Sequence, residues 1–151
     1  FMGFSSTFRY KDFDLGFNLR ANLGNYVYNA FAAQNSTPLT FNNQGFLSNI
    51  YTGVYETGFT HKNGTEQQLS DYFLENASFL KLDNLTFGYS FKNILFNKLS
   101  GRVSFSVQNV FTITNYSGID PESSNNKDYL GIDRNIWPRP RTYTFGLNLN
   151  F

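Results

Sequence analysis

The fold class of this chain is decided by its last nine residues, Tyr143-Thr-Phe-Gly-Leu-Asn-Leu-Asn-Phe151, which alternate apolar and polar side chains without a break. Because successive side chains of a strand point to opposite faces, the apolar residues share one face. They are Tyr143, Phe145, Leu147, Leu149 and Phe151. Lipid outside a β-barrel and the core of a soluble sandwich both accept such a face. The terminal Phe151 favours the barrel, because chain ends usually fray and an aromatic girdle at a membrane interface would anchor it.

The composition agrees with a barrel wall. Of the 151 residues, 19% are aromatic, yet no run approaches the roughly 18 apolar residues that a membrane-spanning helix needs. The mean hydropathy is negative, at -0.38, as expected for strands with one polar face. The net charge of +1 and the scattered basic residues exclude a field for nucleic acid. Because the chain has no cysteine, a disulfide framework and a thiolate metal site are excluded as well.

Alternation predicts four more strands, at residues 2–10, 13–23, 79–91 and about 102–113. The third changes parity between Leu82 and Leu85, which predicts a β-bulge near Asp83 and Asn84. The fourth carries one polar residue, Asn109, on its apolar face. The sequence therefore predicts an all-β chain of about five antiparallel strands.

A tight hairpin joins the first two strands in this prediction. Only Lys11 and Asp12 lie between them, so a two-residue turn brings both apolar sets to the same side of the sheet. The predicted cross-strand pairs are Tyr10 with Phe13, Phe8 with Leu15, and Phe4 with Leu19.

The charged residues of the strands fall on the face opposite the apolar one. They are Arg9, Asp14, Arg20, Lys81, Asp83 and Arg102. An Arg or Lys on the lipid face of a barrel costs about 2–4 kcal/mol at the bilayer midplane, so a barrel needs this placement. A sandwich core would exclude charges too, and the observation supports both folds.

The connections favour the barrel, because they alternate short and long: residues 11–12, about 24–78, 92–101 and 114–142. Outer-membrane barrels have short periplasmic turns and longer extracellular loops, so counting back from Phe151 puts each short connection in the periplasm. Residues 92–100 predict one short amphipathic helical turn there. Five strands cannot close a barrel. We therefore expect the C-terminal piece of a longer chain, with a homo-oligomeric barrel as the alternative.

Four segments of the second half carry a family resemblance. They are Asn76-Ala-Ser-Phe-Leu-Lys-Leu-Asp-Asn-Leu-Thr-Phe-Gly-Tyr89, residues 103–111 (Val-Ser-Phe-Ser-Val-Gln-Asn-Val-Phe), residues 115–122 (Asn-Tyr-Ser-Gly-Ile-Asp-Pro-Glu) and residues 138–151. In this order they resemble SusC/RagA-type TonB-dependent transporters of the Bacteroidetes outer membrane. Residues 1–69 match that family only in strand pattern.

The resemblance implies a whole protein with an N-terminal plug inside a barrel of about 22 strands. Residues 1–151 would be the C-terminal part of that barrel, without the plug and the earlier strands. It also implies TonB-driven import of glycans or peptides across the cell outer membrane, with a SusD-like surface lipoprotein as partner. The terminal strand resembles the signal that outer-membrane assembly machinery recognises. Its readable face would be Tyr143, Phe145, Leu147, Leu149 and Phe151.

The long connections hold aromatic side chains among amides and hydroxyls. Such a mixture could bind a sugar, dock a lid protein or pack on itself. The candidate contacts to substrate or lid are Tyr26, Tyr28, Tyr51, Tyr55, Asn115, Tyr116 and Asp120. Trp137, just before the last strand, is predicted to lie in an interfacial belt. A soluble carbohydrate-binding β-sandwich that uses these loops is the alternative to an importer.

Catalytic and metal-binding patterns are weak. His61 is the only histidine, so a transition-metal site or a catalytic triad is hard to assemble. The last long loop carries carboxylates whose oxygens could ligate calcium, but their spacing matches no EF-hand. They are Asp120, Glu122, Asp128 and Asp133. The sequence favours a solvated loop with Asx turns at Asn115 and Asp120, and predicts no enzyme, metal or cofactor.

Overall fold

The computed structural model describes residues 1–36, 51–59, 69–93, 99–122, 130–134 and 137–150. In chain order its strands and helices are β1 (Met2–Tyr10), β2 (Phe13–Asn22), β3 (Tyr26–Asn29), α1 (Ala30–Asn35), α2 (Val54–Thr57), β4 (Leu74–Asn76), β5 (Phe79–Asn93), β6 (Leu99–Thr114), β7 (Ile132–Asp133) and β8 (Thr142–Asn150). They belong to two compact units. The wall unit is Phe1–Leu23, Phe79–Thr114 and Arg139–Phe151, and the loop unit is Gly24–Ser78 and Asn115–Pro138.

The wall unit is a five-stranded sheet in the order β1-β2-β5-β6-β8. Every neighbouring pair in it is antiparallel. Because side chains alternate along each strand, the sheet has an apolar face and a polar face. Within the described residues β1 and β8 each pair on one side only, so the sheet is open at both edges.

The predicted hairpin of β1 and β2 is confirmed in its register. Its ladder pairs Tyr10 with Phe13, Phe8 with Leu15, and Phe4 with Leu19. Lys11 adopts the left-handed backbone that a tight turn requires, with φ of 54°. The turn is held to the next strand, because the carbonyl oxygen of Asp12 accepts a 2.8 Å hydrogen bond from the Ser90 N–H.

The predicted bulge of β5 is confirmed at Asp83. In the ladder with β2, Asn84 and Leu82 pair with consecutive residues, which leaves Asp83 opposite none. On β6, Asn109 and Val110 together oppose Asp83. Asn109 has a φ of 54°, a left-handed conformation that Asn tolerates better than most residues. Asn109, the polar residue in the apolar pattern of β6, therefore supplies the left-handed backbone of this bulge.

Two predicted strands are longer than expected. Residues 79–91 extend to Phe79–Asn93, and residues 102–113 extend to Leu99–Thr114. The helical turn predicted over residues 92–100 is therefore wrong at both of its ends. Residues 92 and 93 continue β5, and residues 99 and 100 begin β6, where Ser100 pairs with Asn150 of β8. The rest of that turn, residues 94–98, lies outside the described residues.

Aromatic side chains of the apolar face remain accessible. Between 44% and 69% of their surface is exposed at Phe4, Phe8, Phe87, Phe105 and Phe145. A sandwich would bury these rings against a second sheet, so the sandwich prediction is wrong for this sheet. A barrel wall exposes such rings to lipid instead.

The loop unit contains regular structure that the sequence did not predict. A small sheet has the order β4-β3-β7, with β3 antiparallel to β4 and parallel to β7. The Asn29 side chain caps α1 by accepting a 2.9 Å hydrogen bond from the Ala32 N–H. One apolar cluster joins Val27, Ala77 and Tyr116. A second joins Ala32, Ala33 and Phe73, with Tyr28, Tyr51 and Phe59 packed against it.

The treatment of residues 24–78 as a plain loop is therefore wrong for β3, α1, α2 and β4. Each of these elements has between three and six residues, which is too short for hydrophobic periodicity to be recognised. Across the described residues, no helix has the length and apolar character needed to cross a membrane.

Candidate functional site

Among the residues that the structure describes, two ion pairs on the polar face of the wall unit are Arg20–Asp83 and Arg102–Asp14. At one of them the Arg20 guanidinium donates two hydrogen bonds to the Asp83 carboxylate. One runs from Nε to Oδ2, and the other runs from Nη2 to Oδ1 at 2.9 Å. The bulge aims the Asp83 carboxylate at this partner on β2. A two-point Arg–carboxylate contact fixes both side chains more firmly than a single bond would.

The second ion pair crosses a neighbouring strand. Arg102 on β6 donates from Nη2 to Oδ2 of Asp14 on β2, and β5 lies between them. Gly88 of β5 makes room for the bridge. A Cβ at Gly88 would lie 2.5 Å from the Arg102 Nη2 atom and 2.6 Å from Asp14 Oδ1. The ion pair therefore depends on the missing side chain of a residue that takes no part in it.

A polar groove of about 450 Å³ lies on this face. Short hydroxyl and amide side chains form much of it, with Arg9, Asp14 and Arg102 beside them. The short residues include Ser5, Thr7, Asn18, Asn84 and Thr86. Hydroxyl and amide groups can donate and accept hydrogen bonds, so such a surface suits a polar, hydrogen-bonding solute. These residues do not form a nucleophile-and-base arrangement of the kind that catalysis needs.

A carboxylate network ties the loop unit together. Glu75 of β4 accepts three hydrogen bonds: from Asn29 Nδ2 at 2.9 Å, from the Ser117 N–H at 2.9 Å and from the Ser117 hydroxyl at 2.7 Å. Asn29 also donates to the Ser117 hydroxyl at 3.1 Å. Three segments that are far apart in sequence therefore meet at one carboxylate. No pattern in the sequence indicated this network.

Tyr116 forms a second tie within the loop unit. Its hydroxyl donates a 2.7 Å hydrogen bond to Oδ2 of Asp133, and both side chains are buried. Burial raises the pKa of the Tyr116 hydroxyl well above its ordinary value, and the hydrogen bond to Asp133 raises it further. Tyr116 therefore stays neutral and acts as a donor throughout the physiological range.

The seven predicted loop contacts differ in accessibility. Tyr26, Tyr55 and Asn115 are exposed, and Tyr55 keeps 88% of its surface accessible. Tyr28 and Tyr51 are half-buried against the Phe73 cluster. Tyr116 and Asp120 are buried. The exposed residues are the ones with surface available for a substrate or a lid, and contact by any of the seven stays a prediction.

The carboxylates considered for calcium make separate interactions in the structure. Asp120 makes an Asx turn, since its Oδ1 accepts a 3.0 Å hydrogen bond from the Glu122 N–H, as predicted. Asp133 is the partner of Tyr116. Across the described part of the chain, no three His, Cys, Asp or Glu residues come together in a way that could hold a metal. Asp128 and His61 lie outside the described residues.

The predicted assembly face lies on β8, at an edge of the sheet. Tyr143, Phe145, Leu147 and Leu149 are all exposed. Phe151 lies outside the described residues, and recognition by assembly machinery stays a prediction. Trp137 is also exposed, as an interfacial residue would be.

Comparison with known proteins gives a consistent result. The chain is 42% identical over 157 residues to the TonB-dependent receptor SusC of Bacteroides thetaiotaomicron, with 99% of this chain and 15% of SusC matched. It is 31% identical over 166 residues to the TonB-dependent receptor P3 of Formosa agariphila, with 99% of this chain and 16% of P3 matched. No family model matches the chain.

Solved structures give the same picture. The chain resembles the RagAB peptide transporter at 25% identity with a TM-score of 0.71, and the RagAB peptide importer in its "closed-closed" state at 27% identity with a TM-score of 0.72. Each match covers 99% of this chain and 17% of that chain. The chain therefore spans about one-sixth of the length of the proteins that it resembles.

An open antiparallel sheet with a charged polar face and an exposed apolar face is part of the wall of a transmembrane β-barrel of the outer membrane. That is the class of protein to which the chain belongs. Within this class it belongs to the SusC/RagA-type TonB-dependent receptors, as the sequence motifs predicted. The relatives are named as receptors and transporters, which agrees with the prediction that the chain is not an enzyme.

Proposed function

We propose that this chain is the C-terminal part of a barrel that imports nutrients across the outer membrane with energy from TonB. The observation that carries this proposal is the 42% identity to SusC over 99% of the chain. The open edges of the wall unit support it, because β1 and β8 need further strands to close a barrel. The family's barrel of about 22 strands would supply them.

The cargo in this proposal is a polar oligomer, either a glycan or a peptide. The polar groove supports it, because its hydroxyl and amide groups can bond to sugar hydroxyls or to peptide groups alike. The two ion pairs neutralise much of the charge on this face. A hydrogen-bonding surface whose carboxylates are paired with arginines suits a polar solute that must move on rather than bind tightly.

The partner in this proposal is a SusD-like surface lipoprotein that meets the loop unit. Exposed side chains such as Tyr26, Tyr55 and Asn115 provide contact surface, and the Glu75 network holds β3, β4 and the segment at Ser117 together. Aromatic residues on a rigid base are common anchors of protein interfaces. The terminal strand β8 would direct assembly into the membrane.

The test is an uptake assay in cells that carry the full-length receptor. Fluorescent oligosaccharides and peptides of graded length are offered to wild-type cells, to cells without the receptor and to cells without TonB. We expect one cargo class to enter wild-type cells only. Uptake that persists without TonB would reject energised import. Equal uptake without the receptor would reject the transporter itself.

A further inference from the structure

The ladder between β6 and β8 ends in side-chain hydrogen bonds. Its last backbone pair is Gln108 with Thr142. One step further, the Asn109 amide Nδ2 donates to the Arg139 carbonyl oxygen at 2.6 Å, and Arg141 Nε donates to the Asn109 carbonyl oxygen at 3.3 Å. The left-handed backbone of Asn109 turns its groups away from the regular ladder. Two side chains thereby continue the attachment of β8 where backbone pairing stops.

This arrangement holds one edge of the Arg141 guanidinium and leaves the other edge unused. Within the described part of the chain, Arg141 forms no further hydrogen bond and no ion pair, and its side chain is exposed. The two terminal nitrogens carry four N–H groups. Such a pair of nitrogens matches two oxygens of a phosphate or carboxylate group. Because Nε is already anchored, less side-chain entropy is lost when an anion binds.

The position of Arg141 identifies the anion. Arg141 immediately precedes β8, at the end where Tyr143 begins the apolar face that Phe145 and Leu147 continue. By alternation, the seven charged residues inside the wall-unit strands, Lys92 of β5 among them, belong to the opposite face. An arginine at the end of a lipid-facing strand lies at the level of the lipid headgroups. There the abundant anion is the phosphate of a lipid headgroup, which Arg binds in many membrane proteins.

We propose that Arg141 binds the phosphate of a lipid headgroup in the leaflet at the loop end of β8. This end is extracellular in the orientation predicted above. The contact would fix the height of β8 in the bilayer, with Tyr143 as the neighbouring interfacial aromatic side chain. The proposal requires the barrel fold and is independent of the cargo.

The test measures lipid binding to the purified full-length receptor by native mass spectrometry. The probes are short-chain phosphatidic acid and phosphatidylcholine. Arg141→Gln is compared with Arg9→Gln, which removes the same charge from the polar face. We expect phosphatidic acid to bind about tenfold more weakly to Arg141→Gln, as expected for the loss of a charged hydrogen bond. We expect Arg9→Gln to bind it like the wild type.

A second measurement needs no variant. Phenylglyoxal modifies accessible arginines, and the modified peptides are counted by mass spectrometry. We expect phosphatidic acid to slow the modification of Arg141 in the wild-type receptor, and phosphatidylcholine to have little effect. Barrel assembly of each variant is checked by its heat-dependent mobility in gel electrophoresis.

Several outcomes would overturn the proposal. One is equal affinity of Arg141→Gln and wild type for phosphatidic acid, and another is an equal loss in Arg9→Gln. Competition by inorganic phosphate at the same concentration would indicate an ion site without lipid. If Arg141→Gln instead weakened capture of the partner lipoprotein and left lipid binding unchanged, the guanidinium would belong to a protein interface.

Discussion

The hydroxyl of Tyr116 donates a 2.7 Å hydrogen bond to the buried carboxylate of Asp133, and this bond joins two parts of the loop unit that are 17 residues apart. Tyr116 also packs on Val27 and Ala77. One side chain thus supplies both an apolar and a polar contact. The predicted substrate contact at this position is buried, and its hydroxyl is engaged with Asp133.

Tyr116→Phe should loosen the loop unit without preventing barrel assembly. The change removes the donor to a buried carboxylate, and such a hydrogen bond contributes about 1.5–3 kcal/mol. Hydrogen exchange in the full-length receptor should become faster in β3 and β7. Tyr26→Phe is the matched control, because Tyr26 is exposed. Unchanged exchange in Tyr116→Phe would show that the bond contributes little.

Alkaline pH should weaken the loop unit through the same residue. The pKa of Tyr116 is raised above its ordinary value of 10.0 in the folded state, by burial and by the bond to Asp133. The hydroxyl is therefore neutral in both states below that value. As the pH rises above it, the unfolded state ionises first and the stability contribution is progressively lost.

Limited proteolysis of the loop unit, measured from neutral to alkaline pH, checks this expectation. Protection should be constant up to about pH 10 and should decline above it. Tyr116→Phe provides the comparison, because it lacks the titrating hydroxyl and should lose the Tyr116-dependent part of the decline. Superimposable profiles for the two proteins would contradict the assignment.

Gly88→Ala should break the Arg102–Asp14 bridge. The added methyl group would overlap the flexible ends of both partners and push them aside, so the expected cost is that of a lost, partly exposed ion pair, about 0.2–1 kcal/mol. Gly3→Ala is the matched control, because a Cβ at Gly3 meets no heavy atom within 4 Å. The temperature at which the assembled barrel loses its compact gel mobility should fall for Gly88→Ala alone. An equal fall for both variants would point to a general effect of adding a side chain to these strands.

Phe145→Arg should block insertion into the outer membrane, whereas Asn148→Arg should be tolerated. Phe145 lies on the exposed apolar face, where an arginine costs about 2–4 kcal/mol at the bilayer midplane. Asn148 pairs with Arg102 on the polar face. The measurement is the amount of assembled receptor in outer-membrane fractions. Comparable amounts of assembled receptor for both variants would contradict the assignment of the apolar face to lipid.

Two-residue alternation is the reason that so much of the wall unit could be predicted. A strand with one lipid face and one polar face repeats its signal many times, and a parity change can then be located to within two residues, as at Asp83 and Asn84. The hairpin register followed from the length of a single turn. Strand ends were less well predicted, because β5 and β6 continue beyond the region of strict alternation.

The loop unit could not be predicted in the same way. Its strands and helices are short, and tertiary contacts rather than local propensity hold them. Glu75 and Ser117 are 42 residues apart, and Asn29 and Ser117 are 88 apart. A single sequence gives no signal for such pairings. Asn109 of β6, by contrast, left a signal in the sequence, because it was the one polar residue in an apolar pattern. Asn also tolerates the left-handed backbone that it adopts there.

The Arg102–Asp14 bridge over Gly88 also limits how this barrel can change over generations. Any side chain at Gly88 displaces the bridge, and loss of either charge leaves the other without its partner. A lineage that exchanges one of these residues therefore loses the benefit of the other two. We therefore expect the three positions, on three strands, to be exchanged together or not at all.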